Sequence, residues 1–167
     1  MTTIDHPSTA GTRAAPSPVA ARVQRTIAAT PEAIYDIVTD VTRMGEWSPE
    51  TTEARWIKGS THATVGARFV GKNRLGSTSW STKPTVIAAD RGRRFAFSVP
   101  GKSGATWTYE FESIDGGTLV TESVSQDRPS PAPIRWLQRR AGVTDRSAHL
   151  AADMATTLER LDRAATA

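Results

Sequence analysis

TDRSAHLAADMATTLERLDR, residues 144–163, is the only long stretch of this 167-residue chain with a sustained helical period. Leu150, Met154, Leu158 and Leu161 recur at spacings of three and four, with Ala151 and Ala155 beside them. Arg146, Asp153, Glu159, Arg160 and Arg163 fall mainly on the other side. The pattern predicts a helix with one apolar stripe, capped through a side-chain oxygen of Thr144 or Asp145. A helix of about 20 residues is roughly 30 Å long, whereas a strand of about seven residues spans only about 23 Å. Such a helix crosses most of a sheet's face. Burying its four large apolar side chains contributes on the order of 6 to 12 kcal/mol before entropy is counted.

Upstream, residues 51–126 change to a period of two. TTEARWIKG, GARFVGKNR, STSWSTKPTVIAAD, RRFAFSVP, ATWTYEFESID and GTLVTESVSQ read as six strands of an antiparallel meander. Turn chemistry separates them: Gly59-Ser60, Leu75-Gly76-Ser77, Asp90-Arg91-Gly92, the run from Pro100 to Gly104, and Asp115-Gly116-Gly117. Alternation sets Phe95, Phe97 and Val99 opposite Arg94, Ala96 and Ser98. It likewise sets Trp107, Tyr109 and Phe111 opposite Thr106, Thr108, Glu110 and Glu112. The same parity turns Phe69, Gly71, Asn73, Trp80, Thr82, Val86, Val120, Glu122 and Val124 inward. Before the meander, ARVQRTIAA supplies one more strand, with Val23 and Ile27 on one face. Thr30-Pro31 then opens a short amphipathic helix, PEAIYDIVTD, and VTRMGEWS adds a second short turn that Pro49 closes.

Length and composition fit one soluble domain: 38% of residues are hydrophobic and 23% charged. Residues 1–20 carry almost no large apolar side chain and are expected to form a disordered tail, leaving a single domain over residues 21–165. The absence of cysteine excludes disulfides and thiolate chemistry. No run is apolar enough for a membrane span or a secretory signal, so a cytoplasmic location is expected. The net charge of +4 reads as a solvated, arginine-rich surface, with no nucleic-acid partner expected.

Strand, two short helices, six strands and a long helix together resemble the START/Bet v 1-like (SRPBCC) superfamily, and more closely its polyketide cyclase/dehydrase and lipid-transport group. The resemblance rests on AATPEAIYDIVTDVTRMGEWSPE (28–50), GARFVGKNR (66–74) with Trp80, FAF (95–97), TWTYEFESIDGGTLVTES (106–123) and TLERL (157–161). It implies an α+β helix-grip fold: a curved seven-stranded antiparallel sheet around the C-terminal helix, with two short helices after the first strand. It also implies a hydrophobic ligand, a lipid, an acyl chain or a polycyclic polyketide-like molecule, in a cavity between sheet and helix, with no cofactor. Two alternatives stand beside this: an enzyme of polyketide cyclase or dehydratase type, and a protein-interaction module such as a co-chaperone. The family does not fix a reaction, and the sequence carries no characteristic catalytic motif.

Several local motifs do not survive scrutiny. GARFVGKN (66–73) approximates a phosphate-binding loop but lacks Ser or Thr after its lysine and holds strand-like Phe69 and Val70. His6, His62 and His149 are scattered without a metal-ligand spacing, so no metal is expected. The candidate ligand-binding residues are Trp47, Phe69, Asn73, Trp80, Phe97, Trp107, Tyr109, Glu122, Leu150 and Met154. Trp47 and Trp136 both lie near helix ends, where packing and a cavity mouth are the two readings. Glu122 is the sharpest signal, because a carboxylate on an apolar face must pair or meet a wet cavity. It either forms a salt bridge with Arg25, orients a ligand, or transfers protons together with Tyr109.

Overall fold

The computed structural model describes residues 19–101, 104–126, 128, 132–140 and 142–167. The expected tail, residues 1–20, lies outside them except for Val19 and Ala20, which already belong to the first strand. The elements run β1 (Val19–Ile27), α1 (Pro31–Thr39), a 3₁₀ turn (Val41–Arg43), α2 (Met44–Trp47), β2 (Thr51–Ile57) and β3 (Arg68–Leu75). They continue with β4 (Thr78–Thr82), β5 (Thr85–Asp90), β6 (Arg94–Val99), β7 (Ala105–Ile114), β8 (Gly117–Gln126), α3 (Ala132–Arg140) and α4 (Arg146–Thr166).

One antiparallel sheet in the order β1-β8-β7-β6-β5-β3-β2 curves beneath α4, and β4 pairs with β3 off that path. The stretch read as a single strand, STSWSTKPTVIAAD, is therefore two. Pro84 explains the break, since it has no N–H for the ladder. β4 follows β3 from Thr78 to Thr82, and beyond the proline β5 leaves β3 after one paired position, Arg68 with Thr85, and joins β6. α3 is an element that no apolar period of sufficient length marks in the sequence.

Caps and turns behave as their chemistry dictates. Thr30 Oγ1 accepts from Ala33 N at 3.3 Å with Pro31 in the first turn of α1. Asp145, rather than Thr144, caps α4, its carboxylate accepting from Ser147 N at 2.9 Å and Ala148 N at 3.1 Å. Gly117 opens β8 against the Ile27 carbonyl, where any side chain would collide.

The core divides along α4. Its C-terminal half inserts Leu158 and Leu161, both 0% exposed, into a cluster with Ile27, Ile34, Val38, Phe95 and Val120. Tyr35 of α1 joins this cluster edge-on to Phe95 and Phe111, with ring centroids 6.4 and 5.9 Å apart. At the N-terminal half, Leu150 and Met154 form a smaller cluster with Val124 of β8. Thr157 is buried where Ala155, expected in the stripe, is exposed.

Arg25 does face the helix side, as its parity requires, but its partner is Asp162 of α4 at 2.8 Å and not Glu122. Asp162 lies near the C-terminal end of α4 and Arg25 on β1, so the pair links that end of the helix to β1.

Leu158→Ala removes a fully buried side chain from the main cluster and is expected to cost about 2 to 5 kcal/mol in urea unfolding. A loss below about 1 kcal/mol would show that this half of α4 is not what anchors the helix.

Candidate functional site

Where the two halves of the core part, a cavity of about 190 Å³ opens between α4 and the concave face of the sheet. Nine of the ten candidate residues line it: Phe69 and Asn73 on β3, Trp80 on β4, Phe97 on β6, Trp107 and Tyr109 on β7, Glu122 on β8, and Leu150 and Met154 on α4. The tenth, Trp47, does not. It is buried in the main cluster, with Arg43 packed over its ring at 5.7 Å, because the single turn of α2 points it into the core. Met44, one turn earlier, reaches the cavity instead. Trp136 is neither core nor cavity wall: it stands 58% exposed on α3, with the Arg140 guanidinium over its ring at 4.9 Å.

The walls are mostly aromatic and aliphatic. Phe69 and Phe97 meet edge-to-face with ring centroids 5.3 Å apart, and Trp107 sits across the ladder from both Phe97 and Val124. Trp80, 37% exposed, stands on the rim. Asn73 is tied down on both sides: its Oδ1 accepts from Thr51 Oγ1 at 2.9 Å and its Nδ2 donates to Thr82 Oγ1 at 3.3 Å. These bonds clip β2 and β4 to β3 and satisfy its polar atoms within the wall.

Glu122 is different. It pairs directly across the ladder with Tyr109, whose hydroxyl donates to Glu122 Oε1 at 2.7 Å. Among the described residues its other oxygen, Oε2, is buried without a hydrogen-bond partner. Burial raises the Glu122 carboxyl to about 8, opposed by the Tyr109 hydrogen bond and reinforced by the nearby charge of Asp153. Burial likewise pushes the Tyr109 phenol well above its ordinary value. At neutral pH the pair is thus a phenol bonded to a mostly neutral carboxylic acid.

A second polar group at the N-terminal end of α4 escaped the sequence reading, which placed Arg146 and Asp153 on the solvated side. Arg146 holds both oxygens of Glu50, its Nη1 at 2.5 Å and its Nη2 at 2.9 Å. His149 Nε2 lies 3.5 Å from Glu50 and 3.2 Å from Asp153, one turn along the helix. Glu50, His149 and Asp153 each offer a ligand atom within 4.8 Å of the others, a spacing open to a metal ion. Arg146 already engages the Glu50 carboxylate, and the group reads more simply as a polar network at the start of α4. Burial is the main cause of a raised Asp153 carboxyl, with Glu50 raising it further and His149 and Arg146 lowering it. The only trace of this cluster in the sequence is the i, i+4 spacing of His149 and Asp153.

Comparison with known proteins agrees with this architecture. The family model described as polyketide cyclase/dehydrase and lipid transport matches residues 18–166. The chain belongs to that family. A solved polyketide-cyclase-like protein of Corynebacterium glutamicum is 30% identical, with 85% of this chain and 88% of that one covered and a TM-score of 0.56. One steffimycin-pathway protein, a di-domain aromatase/cyclase, aligns at TM-score 0.68 and 13% identity over 87% of this chain and 49% of its own. Major latex-like protein 151 of Panax ginseng aligns at TM-score 0.65 and 13% identity over 86% and 95%. The last two share the fold alone. No curated protein sequence matches. Among the described residues no helix is long and apolar enough to cross a membrane.

The buried carboxyl makes stability fall with pH. Its folded value, about 8, lies above the ordinary 4.5, so between these values the folded protein holds a proton that the unfolded chain has released. Stability is fully present below about pH 4.5 and declines as pH rises toward 8, by a total on the order of 4 kcal/mol. Glu122→Gln, which has no proton to lose, should flatten this part of the profile in urea unfolding at pH 5, 6.5 and 8. Equal slopes for the wild type and the variant would show that Glu122 ionises freely.

Proposed function

We propose that this protein binds a small hydrophobic molecule in the cavity between α4 and the sheet. The observation that carries the reading is the cavity itself, which opens where a well-packed core would be filled. The space of about 190 Å³ combines aromatic and aliphatic walls with a few polar groups, the lining of a small-molecule site rather than of a filled core. A ligand that fills it gains by burying apolar surface against Phe69, Phe97, Trp107 and Met154. Its size favours a compact molecule, or one segment of a longer chain leaving past Trp80, since pockets that enclose drug-sized ligands run to about 300–1,000 Å³.

Tyr109 and Glu122 give one specific reason to keep an enzyme of cyclase or dehydratase type as the second reading. They are a proton-bearing pair on the cavity wall, and such chemistry needs a group that can give or take a proton beside the bound molecule. The steffimycin-pathway aromatase/cyclase offers a precedent for the fold only.

Fluorescence titration with the neutral probe N-phenyl-1-naphthylamine tests the binding reading. The wild type should bind it saturably. Val124→Phe, which places a ring in the cavity, should weaken binding by about tenfold or more, whereas Ile87→Phe on the exposed face should not. Equal binding by all three proteins would place the probe on the surface, and no binding by any would remove the cavity as a ligand site.

A further inference from the structure

We infer that the unpartnered oxygen of Glu122 is a hydrogen-bond donor that receives a neutral acceptor oxygen, a ketone or ester carbonyl, on the molecule in the cavity. This rests on the proposed reading of the cavity as a binding site and adds a chemical class to it. Three structural observations lead there.

The first is direction. The Tyr109 hydroxyl lies 2.7 Å from Glu122 Oε1 and is taken as the donor of that bond, which leaves Oε2 as the oxygen free for a further partner. Oε1 is then the accepting oxygen of the acid, and in the neutral carboxyl the proton resides on Oε2. The second is vacancy of partners: Glu122 is 2% exposed and lines the cavity, yet Oε2 meets no donor or acceptor among the described residues. A buried polar group left unmade costs about 1 to 3 kcal/mol, so whatever enters the cavity with a matching atom relieves that cost. The third is surroundings. On β7 and α4 the groups that bear on Glu122 electrically are Tyr109 and Asp153, and on β1 the residue opposite is Val23, which carries no charge. Arg146, Glu50 and His149 form their own network around Asp153 at the helix end. No described cation pairs with Glu122 and draws it toward the ionised form, and burial favours the neutral acid. A neutral acid selects an acceptor. An ammonium group would require the carboxylate instead.

Phe69, Phe97, Trp107 and Met154 around the same cavity require the rest of the molecule to be apolar. The ligand class is thus a hydrophobic body with a carbonyl oxygen directed at β8.

Two probes of nearly equal shape separate this from simple hydrophobic binding: 2-acetylnaphthalene, with a carbonyl oxygen, and 2-isopropenylnaphthalene, with a methylene in its place. Each is measured by displacement of N-phenyl-1-naphthylamine. At pH 6.5 the wild type should prefer the ketone by about tenfold, the scale of one buried hydrogen bond. At pH 9.5, with the acid ionised, the preference should vanish. Glu122→Gln keeps an amide oxygen for Tyr109 and an N–H where the acid proton was, so it should prefer the ketone at both pH values. Glu122→Leu should bind both probes and favour the hydrocarbon. Failure of the wild type to bind either probe would sink the cavity reading and this inference together. Binding of both without a ketone preference would overturn the donor assignment alone, and so would loss of the preference in Glu122→Gln.

Discussion

Everything in this fold depends on how α4 lies on the sheet. A helix of 21 residues has more length than the aromatic core beneath it can cover, and its two ends meet different surfaces. Leu158 and Leu161 sink into a cluster walled by Phe95, Val120 and the residues of α1, and the Arg25–Asp162 pair closes that end. Toward the N-terminus Leu150 and Met154 form a smaller cluster with Val124 of β8, with Val23 of β1 and Trp107 of β7 packed against it. The sheet curves away there, and the space between becomes the cavity. Anchoring at one end and roofing at the other are two consequences of a single docking geometry.

The polar groups of the cavity divide by how completely they are satisfied. Asn73 is spent on the architecture, joining three strands through Thr51 and Thr82. Arg146 holds both oxygens of Glu50 and ties the start of α4 to the loop before β2, with His149 and Asp153 beside them. Glu122 alone combines near-complete burial with an oxygen that has no partner among the described residues. Such an unpartnered group costs free energy, and cost without architectural return is what a recognition group looks like.

The sequence made the fold legible because its two strongest signals are long and periodic. The Leu150-Met154-Leu158-Leu161 stripe and the alternation through FAF and TWTYEF each repeat over several turns or pairs, and each repeat reinforces the last. The alternation brought seven candidate residues onto the sheet side of the cavity, and the helical stripe brought Leu150 and Met154 onto the other. What it missed were contacts with no period. Glu50 meets Arg146 across 96 positions, and nothing local announces the pair. Asp153 looked solvated because a helical wheel separates faces but does not say which flank a loop will cover. Arg25 had the right face but the wrong partner, since parity fixes the side of the sheet and not the position along a helix above it. Trp47 failed for a related reason: a single helical turn is too short for any period to set its direction, and packing chose Met44 for the cavity. Pro84, by contrast, was readable, and the rule that a central strand does not tolerate proline would have divided β4 from β5.

The central claim, that α4 roofs an accessible apolar cavity at one end and is packed solid at the other, is tested most directly by nuclear Overhauser effects between bound N-phenyl-1-naphthylamine and methyl-labelled protein. Contacts to the methyl groups of Met154, Leu150 and Val124, with none to Leu158 or Leu161, are the predicted result. Contacts confined to exposed residues such as Ile87, or reaching Leu158 and Leu161 equally, would contradict it.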